Sequence, residues 1–117
     1  MNIYWYKDKE SDTQEGMNKV STLFFDDNGK LKSFLWVCNQ GRKDWSESEY
    51  GEFCGIECFG HNCIVTTKER SFENVESVIP SAFDLYKLTV AKLIDGKRIT
   101  VDYFIDKDSL VKIEEIR

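Results

Sequence analysis

The feature that most narrows the fold is an alternation of apolar and polar residues with period two, cut at intervals by turn sequences. Tyr86, Leu88 and Val90 alternate with Lys87, Thr89 and Ala91 ahead of Asp95-Gly96, and Ile99, Val101, Tyr103 and Ile105 resume the pattern beyond it. Successive side chains of a strand point to opposite faces, so this pattern describes two half-buried strands joined by a tight hairpin turn. Asn18 to Phe25 and Leu31 to Cys38 repeat the arrangement around Asp26-Asp27-Asn28-Gly29. That spacing suits a type I turn closed by glycine in the left-handed region. Asn2 to Tyr6 supplies another strand, and Asp106-Lys107-Asp108-Ser109 turns the chain into a last one, Leu110 to Ile116. Tyr50 to Phe59 and Asn62 to Lys68 are expected to form a third hairpin around Gly60-His61, a type II′ loop with glycine first.

One stretch departs from the alternation. Phe72, Val75, Val78 and Ile79 recur at helical spacing between Ser71, a possible cap, and Pro80. This predicts one short helix around 72–80 within Ser71 to Phe83. Seven or eight short strands with about one helix indicate a mainly β fold, an antiparallel β-sandwich or a partly closed barrel. The 117 residues suit one domain, 1–117. With 41% hydrophobic and 14% aromatic residues, the chain carries enough apolar surface to fill its own core.

Sixteen basic against twenty-one acidic residues leave a net charge of −5. Phosphate backbones are bound by clustered Lys and Arg, and Lys30, Lys32, Arg42, Lys43, Lys97 and Arg98 are scattered among acids and turns. Nucleic acid and anionic membrane surfaces are therefore not the expected partners. An acidic surface attracts a basic protein, chiefly by raising the association rate. The opening Met1 to Lys7 lacks the features of a secretory signal, and no apolar run approaches the length of a membrane span. The expected setting is the cytoplasm, where the four cysteines stay reduced.

Cys54, Cys58, His61 and Cys63 are the residues with conceivable metal chemistry, since thiolate and imidazole are the ligands zinc prefers. Their spacing matches no usual zinc pattern. In the expected third hairpin, Cys54, Ile56, Cys58, Cys63 and Val65 share one apolar face while His61 sits at the tip. Buried reduced thiols are the leading reading, with zinc and a Cys58–Cys63 disulfide as alternatives, the latter because the two would stand directly opposed. No cofactor is expected. Any triad must pass through His61, the single histidine, and a turn tip offers no third group to orient it. The carboxylate pairs Asp26-Asp27 and Glu114-Glu115 read as solvated charge, and no phosphate loop or nucleophile elbow is present. An enzyme is not expected, although a barrel pocket for a small molecule is a rival reading.

The richest candidate for contact is Asp44-Trp45-Ser46-Glu47-Ser48-Glu49-Tyr50-Gly51-Glu52-Phe53, with four acids, three aromatics and no base. Trp45 and Tyr50 are the residue types that anchor interfaces, and Asp44, Glu47, Glu49 and Glu52 can pair with Lys and Arg of a partner. The alternative is that Trp45 and Phe53 anchor the loop into the core and the glutamates are merely solvated. A second acidic run, Asp8 to Glu15, has no aromatic and reads as ordinary surface.

In size, acidity and this acidic aromatic segment the chain resembles the small immunity proteins with which bacteria block contact-dependent growth-inhibition or colicin-type toxins. The resemblance is one of general character and aligns no residue. It implies stoichiometric binding of a basic toxin domain, often a nuclease. A third reading is a subunit that pairs with its own copies through exposed strand edges, so a homo-oligomer stays open.

Overall fold

The computed structural model describes residues 2–6, 18–36, 52–58 and 62–115. Among the described residues, nine antiparallel strands make up one sheet. They are β1 (Asn2–Tyr6), β2 (Asn18–Phe25), β3 (Leu31–Trp36), β4 (Glu52–Glu57), β5 (Cys63–Thr67), β6 (Ser71–Ser81), β7 (Leu85–Ile94), β8 (Lys97–Asp106) and β9 (Leu110–Glu115). A 3-10 turn, Lys107–Ser109, leads into β9. The order is β4-β1-β2-β9-β5-β6-β7-β8, with β3 added on β2. A further pairing of β4 with β6 brings the path from β4 to β6 back on itself. The sheet is thus a partly closed barrel from which the β7–β8 hairpin extends.

Two of the three expected hairpins form. In the first, Gly29 donates its N–H to the carbonyl of Asp26 at 3.0 Å and Asp26 donates to Lys30 at 2.8 Å. The Asp26 carboxylate accepts from the N–H groups of Asn28 and Lys30, each at 2.9 Å, so this side chain organises the turn. Gly29 has φ +75. A Cβ there would lie 1.8 Å from the carbonyl oxygen of Lys107, so the turn is pressed onto the 3-10 segment at a place only glycine fits. In the second hairpin Asp95 and Gly96 both have positive φ, the type I′ geometry that matches strand twist.

The third hairpin does not form. Strand β4 pairs with β1 and β6, and β5 pairs with β6 and β9, so β4 and β5 share no ladder. They lie end to end along one edge of β6: Cys63 and Val65 oppose Val75 and Phe72, then Ile56 and Glu57 oppose Val78 and Ser77. The Cys58 N–H donates to Glu76 at 2.8 Å, which commits the end of β4 to β6. Gly55, at φ +120, makes the close approach, since a Cβ there would meet the Val78 carbonyl at 2.8 Å.

The helix expected around 72–80 is strand β6. Its apolar spacing comes from two bulges. Between Phe72 and Val75 three steps along β6 match two along β5, and between Val75 and Ser77 two steps match one along β7. Each extra residue restores the inward face one position late. Phe72, Val75 and Val78 therefore all reach the core at intervals of three, with Asn74 at φ +57 within the first bulge. Pro80, expected to end a helix, is paired opposite Tyr86, and its Cδ is turned toward Gly55, past the last β4 pairing.

The core gathers Leu23, Phe34, Ile56, Val65, Leu88 and Ile113, all essentially without exposure, with Val20, Val75, Val78 and Leu110 around them. Among the strands whose side chains are described, all but β8 contribute a fully or nearly fully buried apolar side chain. Replacing Phe34 by Ala is expected to cost about 3–5 kcal/mol. The two hairpin glycines test the packing of the first turn. Gly96 has open space where a Cβ would go, so Gly96→Ala is expected to cost only the left-handed strain of about 1–2 kcal/mol. Gly29→Ala should cost clearly more in urea denaturation, and equal losses would show that the Lys107 contact does not constrain the turn.

Candidate functional site

Of the residues proposed for partner contact, Asp44, Trp45, Glu47, Glu49 and Tyr50 lie outside the described residues. The backbone of Glu52 opens β4 opposite Tyr6. The next residue, Phe53, is 4% exposed. Its ring meets Phe25 edge-on at 5.1 Å between centroids and Tyr86 edge-on at 5.6 Å. Pairs of this geometry add about 0.5–1.5 kcal/mol beyond their buried area. Phe53 is thus in the core, as the alternative reading of this segment had it, and the C-terminal end of the acidic run is fixed between β2 and β7; Trp45 lies outside the described residues.

The cysteine reading needs correction. Cys58 and Cys63 are joined in a disulfide, with their Cα atoms 6.9 Å apart. They are not the reduced thiols expected, although Cys63 is fully buried beside Ile56 and Val65 as the apolar face required. The sulfurs are also not opposed across a hairpin. The bond spans the junction at which the β6 edge passes from β5 to β4, tying together two strand ends that no shared ladder holds. Sulfurs bonded to each other cannot serve as zinc thiolates. His61 lies outside the described residues, as does the side chain of Cys54. Among the described residues no three His, Cys, Asp or Glu side chains cluster as a metal site would require.

The structure also assembles groups that the sequence analysis passed over. Arg70 lies over the Phe72 ring at 4.2 Å and within 5.8 Å of the Tyr103 centroid. Lys92 donates to the Tyr103 hydroxyl at 2.7 Å and lies 5.3 Å from the same ring. Phe72 and Tyr103 are themselves 5.3 Å apart. Arg70 is placed by a local turn, in which the Thr67 hydroxyl accepts from the Arg70 N–H at 3.0 Å and donates to its carbonyl at 2.7 Å. These residues come from β6, β7, β8 and the β5–β6 connection, so no sequence window contains them. The cations are seated on ring faces, an arrangement worth about 0.5–1 kcal/mol at an exposed site.

A second unforeseen feature is apolar. Ile79, Lys87 and Phe104 are directly opposed across β6, β7 and β8 on one face. Phe104 is 56% exposed there, and Phe83, in the turn before β7, is 92% exposed at φ +62. The alternation gave a signal for Phe104, which falls on the polar phase of β8 among Arg98, Thr100 and Asp102.

The sequence matches no protein-family model, and no curated protein or solved structure gives a significant match. No described helix is long and apolar enough to cross a membrane.

The disulfide gives a direct prediction. Alkylation of the unfolded, unreduced chain should leave Cys58 and Cys63 unlabelled, and reduction should expose both. On the chain-entropy account a loop this short stabilises by about 2 kcal/mol. Reductant should therefore lower the urea midpoint of the native chain and leave that of Cys58→Ser/Cys63→Ser unchanged. Full labelling before reduction would mean that the thiols are free.

Proposed function

We propose that this chain is a binding protein that neutralises a basic protein partner, and that it acts as an immunity protein against a toxin domain, a nuclease being one such target. What supports this reading is the run of four carboxylates and three aromatics from Asp44 to Phe53 in a chain of net charge −5. Its last residue, Phe53, is buried between Phe25 and Tyr86 and joins that end of the run to the sheet. Trp45 and Tyr50 serve as anchors, and Asp44, Glu47, Glu49 and Glu52 face Lys and Arg of the partner. Inhibition is by cover rather than by chemistry, and the chain needs no catalytic group of its own.

The cytoplasm remains the proposed place of action, since that is where an immunity protein meets its toxin. The Cys58–Cys63 bond weighs against it, because disulfides persist mainly in oxidising compartments. Blocking free thiols in intact cells before lysis decides the point: unlabelled Cys58 and Cys63 would move the site of action outside the cytoplasm.

Two tagged baits test the partner reading, the native chain and Glu47→Lys/Glu49→Lys, each washed at low and high salt. A basic protein held in stoichiometric amount by the first, and retained less by the second at low salt with the difference narrowing at high salt, is the expected result. Equal retention by both removes the segment from the interface.

A further inference from the structure

The distal half of the β7–β8 hairpin stands clear of the core. Every residue from Lys92 to Thr100 is exposed, including the apolar Leu93 at 76%, Ile94 at 50% and Ile99 at 39%. Strand β8 ends the sheet, and among the described residues it pairs with β7 alone. Its ten residues keep unbroken register with β7, with no bulge and no proline. Of the devices that keep an edge strand from pairing with another chain, β8 lacks shortness, bulges and proline and carries only charges, Lys97, Arg98, Asp102 and Asp106, of both signs.

The turn determines which backbone groups face that edge. In a two-residue hairpin the residues flanking the loop, here Ile94 and Lys97, form a hydrogen-bonded pair, and bonded and open pairs alternate from there. Lys97, Ile99, Val101, Tyr103 and Ile105 accordingly bond to β7. Arg98, Thr100, Asp102 and Phe104 direct their N–H and C=O groups to the open edge.

We infer that β8 pairs antiparallel with β8 of a second copy of this chain, about a two-fold axis at Thr100. A two-fold axis through a strand pair sets one residue opposite its own counterpart, so only a few registers exist. With Thr100 on the axis, Arg98 stands opposite the partner's Asp102, and the symmetry makes this contact twice. Ile99 then stands opposite the partner's Val101, and Lys97 opposite the partner's Tyr103, on the other face. Among registers centred from Ile99 to Asp102, this one alone sets Arg98 opposite an acid without setting Asp102 against its own copy. Both charges are already oriented on the outer face: Arg98 is ion-paired to Glu76 with its side chain 63% exposed, and Asp102 accepts from the Thr89 hydroxyl at 3.1 Å. Opposed charges directly across a strand pair are favourable and like charges unfavourable, so the charge pattern selects the second copy and its register together.

Sedimentation velocity of the full chain over a range of concentrations is expected to show a monomer–dimer equilibrium. Arg98→Asp and Asp102→Arg should each weaken the dimer by about tenfold or more, which is about 1.4 kcal/mol. Mixing those two variants should restore association as a heterodimer, because each then supplies the charge the other lacks, and no folding defect can imitate that rescue. Thr100→Pro should abolish the dimer while leaving the ladder to β7 intact. A chain that stays monomeric up to its solubility limit, or a dimer indifferent to both charge reversals, overturns the inference. Neither result touches the proposed partner contact, which uses residues 44–52 and not β8.

Discussion

Everything in this sheet depends on one edge of β6 satisfying two different strands. A strand edge must have its N–H and C=O groups paired when it is buried, and β5 covers only the first half of that of β6. Strand β4 covers the rest, and in doing so it brings β1 and β2 around to the other side of the core. Without that handover the chain would be an open antiparallel sheet with one wet face. The Cys58–Cys63 bond, the Gly55 close approach and the Cys58 N–H bond to Glu76 all lie within a few residues of the junction. They reinforce the place where the backbone ladder is interrupted.

The strands themselves were legible because alternation is local, and so were the turns at Asp26–Gly29 and Asp95–Gly96, whose residue types follow from backbone conformation. What was not legible was any feature that depends on which strands meet. In β6 two bulges convert a period of two into an apparent period of three, and Phe72, Val75 and Val78 then imitate a helix face. Strand β9 shows the same effect more mildly: Leu110 and Ile113 are both buried, three apart, across a register shift opposite Thr66 and Thr67. A bulge is set by the partner strand, so its displaced pattern cannot be told from helical periodicity in one sequence. The expected hairpin of β4 and β5 failed for the same reason. Proximity in sequence and a plausible glycine loop favoured it, but β6 offered both strands a better edge.

Functional residues divide along the same line. Phe53 as a core anchor was legible from its aromatic bulk and not from alternation, which put Cys54, Ile56 and Cys58 inward; the register shift between β1 and β4 lets Phe53 and Ile56, three apart, both reach the core. The cysteine pairing was named for the wrong geometry, since both residues face the same junction without being ladder partners. The Arg70–Phe72–Tyr103–Lys92 group and the bare outer face around Phe104 arise from four separate elements, and only the assembled sheet brings them together. The strands also grade from a dry centre to a wet extremity. The proximal half of β7 buries Tyr86, Leu88 and Val90, while its distal half buries nothing, so interactions with other molecules can be made there without disturbing the packing that holds the chain together.

The place of β9 has a bearing on how the molecule is made. This strand, late in the sequence, lies between β2 and β5, two strands that come far earlier. Closing such distant segments carries the entropy of long loops before any contact rewards it. A ribosome releasing the chain from its amino end exposes β2, β3 and β5 well before Leu110 to Glu115 emerge, and their inward faces have no cover until then. The hairpins β2–β3, β5–β6, β6–β7 and β7–β8 can pair as soon as they leave the tunnel, whereas β2 and β5 must wait for β9. Completion of the sheet therefore waits for β9, and the nascent protein depends on that late central strand to withdraw its apolar residues from other chains.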